Sequence, residues 1–379
     1  MLYTFADITD YLLDFTGDDR NTRNARYARR AATAALQELS NLHEWSCYRG
    51  VTRVVTNASY NSGTVEYDHT GGAVERQLTL TGGTWPDWTA FGFVMLNSIP
   101  YEISNRISDT VLQLTTRTNP GSDVAATTYM LMREAYPLPC DLTSFKSVVS
   151  LRQRFELEYI TPTEWMGLQR LTSNPAQVYG CTVTSDPNYQ NTLAIRFVNA
   201  PSTIESYDID YLRAPRPLVV ERETAGTVSV DQDGTTVTGV GTSFTDAHVG
   251  CVIRFYDASN APTGAEGDYP AKLERIITAV SSTVSCTIDD VAPQDFAGVK
   301  YVISDPVDID QNVMLNLYKI AADKHMARLT HRTDLAAVER QFDEALLPTV
   351  GADKKYTGAG NAIDTTYRSL TWRDLRRIV

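Results

Sequence analysis

The sequence predicts an α+β protein in which N- and C-terminal helices form one helical bundle, with antiparallel β-barrel or sandwich-like modules inserted between them. Three observations lead to this prediction. Apolar residues recur at helical spacing near both ends of the 379-residue chain. The middle is rich in Thr, Val, Tyr and Gly in short alternating runs. A Gly-Thr-Val segment occurs twice in that middle, at residues 63–65 and 226–228, which indicates a repeated module.

Two helices are expected at the N-terminus. Thr4 and Asp7 form a capping-box-like start, and Gly17 ends the first pattern. The apolar stripe of this helix is Ile8, Leu12 and Phe15. The second helix, residues 25–45, is rich in alanine and arginine, and its stripe is Ala31, Ala35, Leu39 and Leu42.

Helical periodicity returns after Pro306. One helix has two neighbouring apolar stripes, made of Val313, Leu317 and Ile320 and of Met314, Tyr318 and Met326. The next helix is expected from about Asp334 to Pro348, with Leu335, Val338, Phe342 and Ala345 on one side. Because neither terminal pair can bury its stripes alone, the two ends are expected to pack together.

Changes in composition and hydrophobic pattern divide the chain into five parts. They are a helical core of residues 1–47 and 306–350, β module 1 of residues 48–137, a central β region of residues 138–225, β module 2 of residues 226–305, and a flexible C-terminal tail of residues 351–379.

β module 2 is predicted to be a duplicate of β module 1. Beyond the shared Gly-Thr-Val, we align residues 80–82 with 237–239, residues 92–94 with 250–252, Ile107 with Ile277, Val111 with Val284 and Tyr129 with Tyr301. The number of residues that separates matched positions increases along the alignment, and an insertion around residues 260–270 accounts for most of this increase. Chance similarity between two Thr-rich β segments is the alternative.

Charge and cysteine content argue against several classes of function. The formal net charge of −12 gives a field that repels phosphate backbones, so a dedicated DNA-binding role is not expected. The five cysteines are far apart and form no Cys-x-x-Cys pair, which argues against disulfides or a zinc site. Without a signal-like start or a long apolar run, we expect a chain made and kept in a reducing cytoplasm, with no membrane partner.

No enzyme is predicted, and no catalytic, cofactor-binding or metal site. The histidines lack ligand spacing, and nucleophile-elbow, P-loop and His-Glu-x-x-His motifs are missing from the sequence. Carboxylate pairs are the one enzymatic possibility left, at Asp208 with Asp210 and at Asp289 with Asp290, although solvated acids on strands and in turns are commonplace.

Three aromatic residues follow a Gly-Gly turn in β module 1: Trp85, Trp88 and Phe91. They are candidates for a sugar-stacking platform, but such a cluster is more often core or subunit interface. We interpret Trp85 and Trp88 as subunit-interface residues, together with Leu317, Tyr318 and Phe342 of the C-terminal helices.

The tail contrasts with the acidic body of the chain. From Gly351 onward it has six basic and three acidic residues. A Gly-, Thr- and Ala-rich spacer that ends in aromatic, aliphatic and arginine residues is typical of a segment that orders on a partner. The alternative is a tail that folds back on its own domain.

Several segments together resemble the head-to-tail adaptor family of tailed bacteriophages, whose members are also called neck, connector or tail tubular proteins. The resemblance rests on the order of residues 136–142 (Tyr-Pro-Leu-Pro-Cys-Asp-Leu), 145–148, 159–165 (Tyr-Ile-Thr-Pro-Thr-Glu-Trp), Pro175 with Tyr179, 193–197 (Leu-Ala-Ile-Arg-Phe), Pro201 and 207–215 (Tyr-Asp-Ile-Asp-Tyr-Leu-Arg-Ala-Pro). Residues 226–250 are also similar to modules common in phage proteins. The pattern spans nearly the whole chain but contains no invariant motif.

The resemblance implies a structural virion protein, located in the neck between head and tail and assembled in the host bacterial cytoplasm. Family members form a ring, usually of twelve copies, between the portal protein and the tail or nozzle protein, and viral DNA passes through without specific binding. The helical core would then form the ring, and the tail would bind the portal. The tail residues predicted to do so are Tyr367, Leu370, Trp372, Arg373, Leu375, Arg376, Arg377 and Ile378.

Two other readings stay open. The first is a receptor-binding, tail-fibre-like β protein that recognises host surface sugars, which threefold symmetry would distinguish from a wide ring. The second is a tail-associated glycosidase, which activity on bacterial wall or polysaccharide would reveal.

Overall fold

A computed structural model describes residues 2–16, 22–152, 154–168, 178–198, 201, 203–258 and 271–356. In these ranges there are five α-helices and 21 β-strands. The helices are α1 (Phe5–Thr16), α2 (Thr22–Leu42), α3 (Pro162–Leu168), α4 (Leu315–Leu329) and α5 (Leu335–Tyr356). Three short 3₁₀-helices cover Ser46–Tyr48, Asp87–Phe91 and Asp246–His248.

The strands fall along the chain in two dense groups with a looser group between them. The first eight strands are β1 (Arg49–Val55), β2 (Thr64–Asp68), β3 (Gln77–Thr81), β4 (Phe93–Leu96), β5 (Ile99–Arg106), β6 (Val111–Leu114), β7 (Val124–Thr127) and β8 (Tyr129–Met132). The next six are β9 (Ala135–Pro137), β10 (Leu142–Ser150), β11 (Glu158–Tyr159), β12 (Gly180–Ser185), β13 (Leu193–Phe197) and β14 (Ser206–Arg213). The last seven are β15 (Thr227–Val230), β16 (Thr236–Val240), β17 (Val252–Phe255), β18 (Leu273–Ser282), β19 (Ser285–Ile288), β20 (Phe296–Val299) and β21 (Tyr301–Ser304).

The described strands form four sheets. Two sheets are small, with strand orders β1-β14-β10 and β11-β12-β13-β9. The other two have seven strands each and are barrel-like, with orders β7-β2-β3-β6-β5-β4-β8 and β20-β15-β16-β19-β18-β17-β21. All pairs in the two seven-stranded sheets are antiparallel.

The two seven-stranded sheets have the same topology. Replacing β2 by β15, and each following strand by its counterpart, converts one strand order into the other. A 3₁₀-helix precedes the third strand of both. Gly63 and Gly226 open both sheets with a positive φ, at 82° and 85°. The fold of β module 1 therefore recurs in β module 2, while their descent from one duplicated sequence stays a prediction.

Strand register corrects most of the residue equivalences expected from the sequence. Tyr129 and Tyr301 are equivalent as predicted, because each pairs with the last residue of the third strand, Leu96 or Phe255. Gly82, however, corresponds to Gly241 and not to Gly239, since Thr81 pairs with Thr64 as Val240 pairs with Thr227. The other predicted matches are also wrong. Phe93 corresponds to Val252 and not to Cys251, and Ile277 corresponds to Ile103 and not to Ile107. Val111 corresponds to Ser285 and not to Val284.

The predicted fold class is wrong. The chain is mostly β, and its helices are not arranged as an N- and C-terminal bundle that frames the β modules. α1 is bonded to the second seven-stranded sheet, where Phe5 N donates to Asp305 O at 2.8 Å and Ala6 N to Ser304 Oγ at 3.0 Å. α3 lies in the central β region, far along the chain from either end.

The described chain divides into two compact units. One unit contains residues 2–48 and 215–356, so α1, α2, α4, α5 and β module 2 belong together. The other contains residues 49–214, with β module 1 and the central β region. The finer five-part division made from the sequence stays a prediction.

Partly buried ion pairs hold α1 to β module 2 in the first unit. Arg254 on β17 binds both carboxylate oxygens of Asp7, at 2.8 and 2.9 Å, and the carboxylate of Glu274 at 2.9 Å. A second contact centres on Asp305, which is 1% exposed and receives Arg216 Nε at 2.9 Å. Asp305 also accepts from the backbone N–H groups of Val219 and Val220 at 2.8 and 2.6 Å, which fixes the chain as it enters β module 2.

The start of α1 agrees with the local sequence, whereas the end of α5 does not. Thr4 N donates to Asp7 Oδ2 at 2.9 Å and Asp7 N to Thr4 Oγ1 at 3.4 Å, which confirms the predicted capping box. The predicted helix end at Pro348 is wrong, because α5 continues to Tyr356. Pro348 lacks an N–H and removes one helical bond, yet it is exposed and the chain beyond it is held by buried contacts described below.

Candidate partner-binding site

The end of α5 is the last described part of the chain before the predicted portal-binding residues. Those residues lie in residues 357–379, outside the described part of the structure: Tyr367, Leu370, Trp372, Arg373, Leu375, Arg376, Arg377 and Ile378. The structure describes the helix that precedes them in the chain, α5, whose end we call the base of the tail.

Asp353 anchors that base. Its side chain is 3% exposed and accepts hydrogen bonds from Ser46 N at 3.1 Å and from Ser46 Oγ at 2.5 Å, both to Oδ1. Its other oxygen lies 3.0 Å from His43 Nε2. A buried carboxylate requires such partners, so the last turns of α5 are bonded to the segment that follows α2.

A second polar cluster joins α2 to α4. Glu38 receives Lys324 Nζ at 2.6 Å and lies 2.9 Å from His325 Nε2. Burial opposes ionisation of Glu38, but the hydrogen bonds from Lys324 and His325 outweigh it and lower the pKa of this carboxyl. Lys324 also lies over the ring of Phe342, with Nζ 3.7 Å from the ring centroid, which adds α5 to the same contact.

Most of the predicted subunit-interface residues lie in the core of the chain itself. Leu317 and Tyr318 are 0% exposed and Phe342 is 4% exposed. Trp85 is 1% exposed in the core of β module 1, and Trp88 packs against that core. The structure therefore places four of the five predicted residues in the core of a single chain, with Trp88 packed against it.

The outer face of the three-stranded sheet β1-β14-β10 carries two exposed valines beside charged residues. Val51 and Val55 of β1 are 72% and 52% exposed, although valine on a sheet normally faces a core. Strand pairing places Arg53, Asp208 and Val149 side by side across this face. Because β1 and β10 are the edge strands of the sheet, Val51 and Val55 lie on a strand edge that a further strand can extend.

Three of the four candidate catalytic carboxylates have structural partners. Asp208 forms a two-pronged ion pair with Arg53, at 2.7 and 3.1 Å, on the solvent side of its sheet. Asp289 accepts the Ile276 N–H at 2.9 Å, and Asp290 that of Val291 at 2.8 Å, as expected of acids in turns.

Metal and thiol chemistry would use the His, Cys, Asp and Glu side chains of the described residues, and three of the five cysteines are buried. No group of three or more His, Cys, Asp or Glu in those ranges is arranged to hold a metal ion. Cys181, Cys251 and Cys286 are buried, and burial raises the pKa of each thiol to about 12, so these cysteines are thiols at neutral pH. Among the described helices, none combines the length and apolar character that crossing a bilayer demands.

Sequence reasoning missed the buried carboxylates Asp305 and Asp353. Both resemble ordinary surface acids in the sequence, since Asp305 precedes a proline and Asp353 lies beyond the expected end of α5. Their partners Arg216 and Ser46 are 89 and 307 residues away, so no local pattern could have indicated the contacts.

The chain was compared with protein-family models, with curated proteins and with solved structures, and none of them matches it.

Proposed function

We propose that this chain is a structural virion protein, a subunit of an adaptor ring that joins the portal protein to the tail of a bacteriophage. In this proposal the ring contains several copies, twelve by the family resemblance, and viral DNA passes through it without specific binding. The tail or nozzle protein is the partner on the other side.

The observation that carries the proposal is the anchored base of the C-terminal tail. A basic segment with aromatic and aliphatic residues binds a partner best when it starts from a fixed point, since a fixed start reduces the entropy lost on binding. Asp353, with its bonds to Ser46 and His43, supplies that point three residues before the end of α5.

The proposed contact between copies differs from the one expected from the sequence. Most of the described stripe residues of the terminal helices are buried within the chain, with Leu42 as an exposed exception, so the stripes leave little for a ring contact. The outer face of the sheet β1-β14-β10, with Val51 and Val55, offers exposed apolar surface for a neighbouring copy.

Removal of residues 367–379 tests the portal contact. We expect the truncated chain to lose most of its affinity for the portal protein of the same phage, measured by co-sedimentation or biolayer interferometry. The double variant Trp372→Ala/Leu375→Ala should reproduce much of the loss, because buried aromatic and aliphatic anchors dominate such interfaces. Undiminished binding by the truncated chain would contradict the portal contact.

Mass measurement with light scattering tests the ring. We expect the isolated chain to be monomeric or weakly associated, and to form rings visible by negative-stain electron microscopy once portal is added. Val51→Ser/Val55→Ser should reduce ring formation without reducing binding of a single copy. A stable trimer would instead favour the tail-fibre-like alternative.

A further inference from the structure

The exposed side of α2 has a charge opposite to that of the whole chain. In an acidic protein of net charge −12, residues 22–37 contain four arginines and no acid. Arg23, Arg26 and Arg30 follow each other at steps of three and four residues, so they share one face of the helix, and all three are exposed.

Most of these arginines do not form the ion pair with an acid that helical arginines form elsewhere in the described part of the chain. Helical arginines elsewhere pair with acids, as Arg340 does with Glu344 at 2.8 Å and Arg328 with Glu339 at 2.6 Å. Arg26 and Arg30 make no ion pair with any described residue, and Arg29 pairs with Glu221 at the side of the face. Like charges at this spacing destabilise a helix, so the row of arginines lowers the stability of α2.

The electrostatic effect of the row is visible at Tyr27. The Arg23 guanidinium lies over the Tyr27 ring, 5.4 Å from its centroid, and Arg23 Nε donates to the phenol oxygen at 3.1 Å. This hydrogen bond, followed by the charges of Arg23, Arg26 and Arg30, lowers the pKa of the Tyr27 phenol. An anion brought to this face meets a positive field despite the net charge of the chain.

The helix presents the row rigidly. The opposite face of α2 is buried and consists largely of small residues: Ala28, Ala31, Ala32, Ala35, Leu36 and Leu39. Small side chains allow α4 to approach closely, and Tyr318 Oη donates to the Ala32 carbonyl at 3.2 Å. The exposed row is therefore held on a fixed platform about 10 Å long from Arg23 to Arg30.

The residue types on the face favour nucleic acid over an acidic protein. We define the arginine face of α2 as Arg23, Arg26, Tyr27, Arg30, Thr33, Gln37 and Asn41. Arg, Thr, Gln, Asn and Tyr are the side chains that contact phosphates in protein–DNA interfaces. A protein–protein contact has an apolar centre, whereas the arginine face has no aliphatic residue and the ring of its one aromatic residue, Tyr27, is covered by Arg23.

We infer that the arginine face of α2 binds the phosphate backbone of duplex DNA, without reading its sequence. The contact is weak and local, because the rest of the chain repels DNA. It goes beyond the proposed adaptor role and does not depend on it, since one copy of the chain carries the whole face. In a ring the same face would be repeated once per copy, which would let many weak contacts add up.

The test measures binding of the full-length chain to a fluorescent 30-base-pair duplex of random sequence, from 50 to 200 mM salt. Three phosphate contacts predict a slope of about −2.7 for log K against log salt, which corresponds to roughly 40-fold weaker binding over that range. Arg23→Gln/Arg26→Gln/Arg30→Gln should weaken binding at least tenfold at 50 mM salt and bring the slope close to zero. Glutamine keeps a good helix former at each site.

The matched control is Arg117→Gln/Arg152→Gln/Arg340→Gln, which removes the same charge from exposed positions elsewhere. It should change affinity less than threefold, and circular dichroism should show both variants folded. Equal losses in the two variants, no effect of the arginine-face variant, or no binding by the wild type at 50 mM salt would each overturn the inference. So would polyglutamate binding to the arginine face as tightly as DNA, because that result assigns the face to an acidic protein.

Discussion

Asp323 on α4 is an acid in an environment that suits its neutral form. The residue is 7% exposed, Tyr11 Oη donates to its Oδ2 at 2.9 Å, and its Oδ1 has no hydrogen-bond partner among the described residues. Burial raises the pKa of this carboxyl to about 6, although the hydrogen bond from Tyr11 and the charges of Arg332 and Lys319 oppose the rise. At neutral pH the chain thus holds a buried, incompletely bonded carboxylate.

The pH dependence of stability follows from that shift. A carboxyl with a pKa of about 6 in the folded chain and 3.8 in the unfolded chain stabilises the fold below pH 4, and this contribution is lost as the pH rises through 6. We expect Asp323→Asn to gain stability relative to wild type by about 1–2 kcal/mol between pH 5 and 7.5. Urea unfolding at several pH values measures this.

The exposed Asp343→Asn on α5 is the control for that measurement. Its difference from wild type should stay flat over the same pH range. A flat difference for Asp323→Asn as well would mean that Asp323 ionises normally in the folded chain.

At the scale of elements, the sequence predicted the existence of two similar modules more reliably than their alignment. The match of residues 80–82 to 237–239 is off by two, which leaves every side chain on its correct face of the sheet, so hydrophobic alternation could not reveal the error. The match at Phe93 is off by one, in a strand whose four residues are all buried and which has no alternation to read. Register was set instead by strand pairing across the sheet.

Gly63 and Gly226 show why the same turn recurs in both modules. A Cβ on Gly63 would lie 2.2 Å from the Thr81 carbonyl oxygen, and a Cβ on Gly226 would lie 2.2 Å from that of Val240. Both residues also have a positive φ, which costs an L-residue about 1–2 kcal/mol. Two different sequences therefore meet the same steric demand at the same place.

Alanine substitution tests this equivalence. We expect Gly63→Ala and Gly226→Ala each to destabilise the chain by about 3 kcal/mol or more, since strain and a clash with backbone add. Gly121→Ala is the control, because Gly121 has a φ of 77° but no atom within 4 Å of an added Cβ. It should show the conformational cost alone, about 1 kcal/mol. Equal effects at all three positions in chemical denaturation would show that the backbone contacts do not matter.

At the scale of the whole molecule, the sequence located the terminal helices but not their partners. An apolar stripe indicates that a helix is buried, and says nothing about what covers it. The assumption that the two ends cover only each other led to the wrong fold class. The contacts that tie α1 to β module 2 include charged pairs such as Asp7 with Arg254, 247 residues apart, which hydrophobic patterns cannot indicate.

Arg254 tests whether α1 and β module 2 belong to one cooperative unit. Its guanidinium, 12% exposed, neutralises both Asp7 and Glu274. Arg254→Met keeps much of the volume but leaves two partly buried carboxylates unpaired, so we expect a loss of about 3 kcal/mol at pH 7. Asp7→Asn/Arg254→Met/Glu274→Gln should recover part of that loss, because it removes the uncompensated charges as well.

Hydrogen exchange measured by mass spectrometry shows where the loss is felt. Faster exchange is expected in α1, β17, β18 and β21, and in the helices of the same unit. Residues 64–132 belong to the other unit and should exchange at their wild-type rate. If exchange rose equally in residues 64–132, the two units would unfold together, and the ion pairs at Arg254 would stabilise the whole chain instead of one unit.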